Sequence, residues 1–462
     1  MNERLISRYL FPLHERLKGK PTFRLLAELE ATQWLPARRL EEYRLRRLRR
    51  FLEFVHEYVP YCRTLLDEHG LRPRDVHSFD DLGRLPFLTR DILQTRFDDL
   101  RARATLPGVH RRSSGGSTGT PVTVLVDMER MGMGEAGRLR ARRWFGVEPG
   151  TREIVLWGTP ARTSALERIR QFRDRLLNTR VLSAFDMGDE ALRRHAATIR
   201  SVSPTQMYGY ASAFHLVASY FQRERLDPPR GLKAVFTTAE PLFDFQRKTI
   251  EAALGCPVGV EYGCRDGGLV ALECPSGGLH ILAESMHVEI LDPDAEGRGE
   301  IVLTNLDSRA FPIIRYRTGD IGALDPTPCP CGRRLPKLRG VEGRRTDFLV
   351  TPSGRVLHAL SAIYILRDSP VVREFRVVQD APDHLLVEVV PSGSFGEPEQ
   401  AALRAQFVPA FGPELRVSFT ACKEIARTAA GKFRYVESRI APAILERLMH
   451  TGDPQGAITN DL

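Results

Sequence analysis

Lysine is scarce in this chain. Lys18, Lys20, Lys233, Lys248, Lys337, Lys423 and Lys432 are the seven lysines among 67 basic residues, so arginine carries nearly all the positive charge. A chain-wide preference for arginine reflects composition more than a binding face. The net charge of +9 is therefore no argument for nucleic acid as a partner. Long apolar runs are missing: none approaches the ~18–20 residues of a membrane span. The opening MNERLISRYLFPLHERLKGK scatters charge and has no apolar h-region, so no signal peptide is read and the cytoplasm is the expected compartment. The seven cysteines are odd in number and irregular in spacing. That argues against a disulfide framework and for metal-bound or buried thiols. Repeats and low-complexity segments are also absent. With 42% hydrophobic residues, the chain has enough apolar material to build cores rather than remain disordered.

The 462 residues suffice for two to four domains at ~100–200 residues each. Residues 1–100 read as mostly helical. The arginine-rich run 38–50 interleaves Leu and Glu at helical spacing, which predicts a solvated amphipathic helix. Thr89 is placed to cap a helix starting at Arg90. Between residues 100 and 260, strand-like runs (Val122–Val126, Ile154–Trp157, Ala234–Thr237) alternate with helical ones (Met131–Phe145, Asp189–Ser201, Ser212–Arg225). Such alternation predicts an α/β fold with a largely parallel sheet. A β-rich texture is expected from His287. Beyond residue 343 a helix (Ser361–Arg367), strands (Glu374–Val378, Leu386–Val390), a helix (Pro398–Phe407) and a last strand (Leu415–Thr420) predict a small α+β domain.

The strongest local signal is SSGGSTGTP at residues 113–121. Glycines and hydroxyl residues at this density present backbone N–H groups and side-chain oxygens to an anion, and phosphate is the expected guest. The segment formally matches G-x-S-x-G, but a nucleophile elbow needs a strand before it and a helix after. Here VHRR is a poor strand, and PVTVLV reads as a strand, not a helix. A second constellation is YRTGD (316–320), either a simple turn or a carboxylate for a ribose diol. A third is EYGCRDGG (261–268), where Tyr262 is suited to stack on a base and Asp266 to hold a divalent cation. In RTAAGKFRY (427–435), Lys432 is either inert surface or a mobile charge beside a phosphoryl centre.

Together with TTAEP (237–241) and GRRTD (343–347), these segments occur in the order of the adenylate-forming ligases. Within them the chain resembles the phenylacetate–coenzyme A ligase and capsular polysaccharide biosynthesis-like branch, over roughly residues 25–440. The resemblance implies a large N-terminal domain (1–343) with mixed sheets and a β-rich subdomain, and a small mobile α+β lid (344–462). It implies ATP phosphates at Ser113, Ser114, Gly115, Gly116, Ser117, Thr118, Gly119 and Thr120. Adenine would lie against Ala239, Glu240 and Tyr262, the ribose on Asp320, and magnesium on Asp266. Arg344 would assist at ribose or phosphate, and Lys432 would bridge the substrate carboxylate and the α-phosphate.

The implied reaction is activation of a carboxylic acid, an aryl or other small organic acid, as acyl-AMP. Transfer to coenzyme A follows, with an amine or carrier-protein thiol as the alternative acceptor. The acid is expected beside Tyr208–Phe214, Phe236 and Tyr262. A homodimer is open. The sequence departs from the family pattern at Arg265-Asp266, at Val122 where relatives carry a loop lysine, and at Thr346 in the hinge. Cys274, His280, Cys329 and Cys331 form a candidate Cys₃His zinc site, with Cys256 a substitute ligand and unmetallated core thiols the alternative. Cys62, Cys264 and Cys422 are expected as buried small hydrophobes.

Overall fold

The computed structural model describes residues 3–113, 122–157, 165–184, 187, 189–344, 348–354, 356–358, 360–426 and 433–441. The chain divides into two compact units. One comprises residues 1–318 and 322–341, the other residues 319–321 and 342–462.

The first unit opens with helices. Helix Ala37–Tyr58 buries Leu40, Arg44, Leu48, Phe51, Leu52 and Val55, a stripe three and four residues apart. Contrary to the solvated helix expected for this run, not all of its arginines are solvated. The Arg44 guanidinium is buried against the Phe79 ring and donates Nε to the Ala283 carbonyl at 2.9 Å. A long stem lets arginine sit on an apolar face while its head finds partners. Helix Arg90–Thr95 starts where expected, with the Thr89 hydroxyl accepting from the Ile92 N–H at 3.3 Å.

Strands β1 (His110–Ser113) and β2 (Thr123–Val126) pair antiparallel, Ser113 opposite Thr123. The poor-strand reading of VHRR is thus corrected. All four β1 side chains are exposed, so no apolar alternation marks them, and β2 supplies the buried face. A strand still follows the glycine-rich segment, which keeps the elbow excluded.

Next come β3 (Glu153–Trp157), β4 (Thr179–Ser183), β5 (Gln206–Gly209), β6 (Ala234–Thr238) and β7 (Val258–Cys264). They lie side by side in the order β4-β3-β5-β6-β7, all parallel. The helices between them bury Phe214, Phe221 and Ile250 against the sheet. The same sheet continues antiparallel through β8 (Gly268–Glu273) and β9 (Leu279–Ile281). It ends with β10 (Met286–Leu291), β11 (Gly299–Asn305), β12 (Ile313–Asp325) and β13 (Lys337–Arg344). The β-rich region therefore begins at β7, some thirty residues before the texture change at His287. Three glycines in EYGCRDGG hide the strand pattern there.

The second unit carries the hairpin β14 (Phe348–Val350) and β15 (Val356–His358). It also holds β16 (Val372–Ala381), β17 (His384–Pro391), β18 (Arg416–Ala421) and β19 (Val436–Ser438), in the order β18-β17-β16-β19. β19 is an addition to the expected set: three residues running parallel to β16 are too short to show a period. Helices Leu360–Arg367 and Glu397–Phe411 accompany this sheet.

Candidate active site

The strand order places the site. Numbered from its first strand, the parallel region reads 2-1-3-4-5, so connections from β3 and β5 leave in opposite directions. In such sheets the crevice for ligands lies beyond the carboxyl ends of those two strands. Trp157 ends β3 and Tyr210 follows β5. The two rings stack at 4.5 Å between centroids, and Trp157 also lies parallel to Tyr208 at 5.9 Å.

Tyr210 and Phe214, expected beside the acid, are buried in the core of this sheet. Tyr208 is half-buried and donates its hydroxyl to Glu261 Oε1 at 3.0 Å. Glu261 also receives a two-pronged contact from Arg138, at 2.9 and 3.0 Å. Burial and the Glu261 charge push the Tyr208 hydroxyl well above its ordinary value, so it stays a donor.

Ala239 and Glu240 follow β6 directly. Ala239 takes a left-handed φ of 68°, uncommon for a residue with a Cβ and most often met at functional turns. Glu240 accepts from the Ser212 N–H at 3.0 Å, at the start of helix Ala211–Arg223. Tyr262 is half-buried on β7, and Asp266 is buried in the turn after it.

That turn is held from several elements. Arg130 donates to the Asp266 carbonyl, Asn305 Nδ2 to the Gly267 carbonyl at 2.8 Å, and the Tyr316 hydroxyl to Asp266 Oδ2 at 2.5 Å. At Gly268, where φ is 107°, a Cβ would meet Asn305 Nδ2 at 2.9 Å, so glycine permits the close approach. Arg265 reaches from the same turn to the Ser113 carbonyl at 2.7 Å. The structure thus brings Ser113, Ala239, Glu240, Tyr262 and Asp266 to one end of the parallel strands. Sequence reading missed the supporting Arg130, Tyr316 and Arg265. Tyr316 lies inside a recognised motif, whereas Arg130 gives no local signal.

Ser114, Gly115, Gly116, Ser117, Thr118, Gly119, Thr120, Thr346 and Lys432 lie outside the described residues. Asp320 is buried on β12 and groups with the second unit. The backbone of Arg344 ends β13.

The cysteine–histidine cluster assembles apart from these residues. Cys274 follows β8, His280 lies on β9, and Cys329 and Cys331 sit between β12 and β13. Their ligand atoms all lie within 4.8 Å of one another. Cys274 Sγ is 3.6 Å from Cys329 Sγ, and His280 Nε2 is 3.2 Å from Cys331 Sγ. Burial lowers the His280 ring to about 4 and raises the Cys274 thiol to about 12. His280 Nδ1 faces the Leu335 carbonyl at 3.3 Å. Cys256 belongs instead to the hydrophobic core, as does Cys62. Cys264 and Cys422 are only half-buried, contrary to the expectation of fully buried thiols. Cys264 Sγ accepts from the Gly267 N–H at 3.2 Å within the turn, which keeps it near the surface.

Among the described residues no helix is long and apolar enough to cross a membrane. The fold matches a 2-hydroxyisobutyryl-CoA ligase solved in the postadenylation state with R3-HIB-AMP. The TM-score is 0.70 at 22% identity, covering 91% of this chain and 94% of that one. Residues 349–439 match the family model of the CapK C-terminal domain. The chain is similar to phenylacetate-coenzyme A ligases. It is 28% identical to that of Thermus thermophilus over 358 residues, covering 74% of this chain and 79% of that protein. It is 25% identical to that of Aromatoleum evansii over 393 residues, covering 81% and 87%.

Proposed function

We propose that this protein is an AMP-forming acid–thiol ligase. It joins a carboxylic acid to the α-phosphate of ATP, releases pyrophosphate, and passes the acyl group to the thiol of coenzyme A. The observation that carries this reading is the gathering of Ser113, Ala239, Glu240, Tyr262 and Asp266 at the carboxyl ends of β5–β7, beside the switch point of the sheet. The phenylacetate-coenzyme A ligases similar to this chain support coenzyme A as acceptor and an aryl or small organic acid as substrate.

The chemistry asks for charge neutralisation. A carboxylate attacks a phosphorus already surrounded by negative oxygens, so donors must offset charge as it builds. Ser113 opens the segment 113–120 assigned to the phosphates, and Arg265 holds its carbonyl beside the Asp266 turn. Ala239, Glu240 and Tyr262 are assigned to adenine, Asp320 to the ribose hydroxyls, and Arg344 to ribose or phosphate. The Lys432 ammonium is assigned to the substrate carboxylate and the α-phosphate.

Asp266 suits magnesium. One carboxylate oxygen accepts from Tyr316, and the other has no hydrogen bond among the described residues. Magnesium takes one or two protein carboxylates and fills its remaining positions with phosphate oxygens and water. When bound, it neutralises phosphate charge.

The Cys274, His280, Cys329, Cys331 set suits structural zinc. Zn–S near 2.3 Å and Zn–N near 2.0 Å set tetrahedral ligand atoms about 3.5–3.8 Å apart, close to the spacings here. Four protein ligands leave no open position for catalysis. The Leu335 carbonyl fixes the His280 ring from behind.

The test is pyrophosphate release over a panel of acids, with and without coenzyme A. ATP-dependent release with at least one acid and consumption of the thiol are expected. Release without thiol consumption would move the acceptor to an amine or carrier-protein thiol. Turnover that needs no ATP would end the reading.

A further inference from the structure

We propose that Tyr316 is a positioning residue for the divalent cation, acting through Asp266; this rests on the functional reading above. An aspartate carboxylate rotates broadly about its last torsion, so its own rotamer does not decide which oxygen faces a ligand. Here Tyr316 decides it. Its hydroxyl, on a ring only 1% exposed, donates to Oδ2 at 2.5 Å, which leaves Oδ1 for the cation. Such charge-assisted O–H···O bonds are short and directional.

The tyrosine is itself fixed from both sides. Arg315, just before it, holds a left-handed φ of 48°. Leu88 N–H donates to the Arg315 carbonyl and Arg317 N–H to the Leu88 carbonyl, both at 2.9 Å. The Arg315 N–H donates to Thr304 Oγ1 at 2.9 Å, and its side chain pairs with Glu289. The carboxylate's own backbone is fixed by Arg130, which is nine-tenths buried, and by Asn305 through Gly267. Main chain and carboxylate plane are thus set by separate partners on separate elements. Magnesium demands near-ideal octahedral geometry, so an oxygen held in place before binding favours it over a freely turning one.

The experiment is Tyr316→Phe, which removes one oxygen and keeps the ring. Calorimetry measures ATP affinity in EDTA and across a magnesium titration. Electron paramagnetic resonance of Mn²⁺ with ATP gives a readout independent of turnover. In EDTA the variant is expected to bind ATP as the wild type does. The half-saturating magnesium concentration is expected to rise roughly tenfold, as losses of outer-shell partners do. At saturating magnesium kcat should recover to near the wild-type value.

Asp266→Asn should abolish the magnesium enhancement, and adding Tyr316→Phe to it should change nothing further. Equal loss of ATP affinity with and without the metal would show a general structural role and overturn the proposal. An unchanged magnesium titration, or additive effects in the double variant, would also overturn it. If Tyr316→Phe fails to fold, Tyr316→Met, which also removes the donor while filling much of the ring's space, replaces it under the same criteria. A wild type that binds no magnesium–ATP would instead sink the functional reading itself.

Discussion

Arg130 and Tyr316 stand 136 and 50 positions from Asp266 in the chain, yet both close on it. Residues assigned to ligand were legible because they cluster in short peptides of unusual composition. The supporting contacts were not, because each reaches in from another element: Arg130 gives no local signal, and nothing in YRTGD shows that the Tyr316 hydroxyl meets Asp266. Lys432 is assigned its role in this way: a lysine directly after a glycine stands out in a chain where arginine is the rule. Lys432→Ala is expected to slow ATP–pyrophosphate exchange by about 10²–10³-fold, the usual cost of one transition-state donor, while leaving the melting temperature unchanged. His287 gives a pH prediction. Its ring stacks on Phe79 at 4.4 Å and faces the Arg44 guanidinium at 3.3 Å. Burial first, then the charges of Arg44 and Arg315, lower its pKa from 6.5 to about 3. Below pH 6.5 the unfolded chain therefore binds a proton that the native ring refuses. Stability should fall as pH drops from 6.5 towards 3, by at most about 1.4 kcal/mol per unit from this group. Urea midpoints against pH should show that slope reduced in His287→Asn.

Elements whose side chains alternate between core and water announced themselves; elements without a buried face did not. Helix Ala37–Tyr58 and the parallel strands β3 and β6 fall where the sequence pattern puts them, whereas β4, β5 and β7 were not read. β1 and β19 were invisible, one wholly exposed and one three residues long. Both owe their conformation to a partner strand rather than to their own sequence. Caps are local and could be read: Thr89→Ala should cost about 1 kcal/mol in denaturant unfolding, through the lost bond to Ile92. The segments after β8 and between β12 and β13 meet at the cysteine–histidine cluster. Purified protein is expected to carry about one zinc per chain, and Cys331→Ser to lose it with a lowered melting temperature. Elemental analysis and thermal melts check this; absence of zinc would leave the thiols as core residues.

At the scale of the whole molecule, one ion pair couples remote parts of the first unit. Arg140, on helix Met128–Trp144, meets Glu284 at 2.6 Å, and the same carboxylate accepts from Thr32 on an N-terminal helix. Both charges are almost fully buried, at 1% and 0% side-chain exposure. Glu284→Ala should therefore cost about 3–5 kcal/mol, since it strands a buried guanidinium. A chemical-denaturation midpoint that barely moves would contradict this. The sequence by itself determined the class of fold, strands β3 and β6 with the helices Met128–Trp144, Asp189–Val202 and Ala211–Arg223, and the peptides assigned to nucleotide and metal. Those are local properties: period, turn chemistry and composition act over a few residues. Only the tertiary structure decided the strand order that puts the switch point of the sheet beside Trp157 and Tyr210. It also decided the convergence of the Cys274, His280, Cys329 and Cys331 side chains, and the donor that meets the Asp266 carboxylate. Each of these depends on contacts between residues far apart in the chain, and such contacts come into being only when the sheet assembles and excludes water.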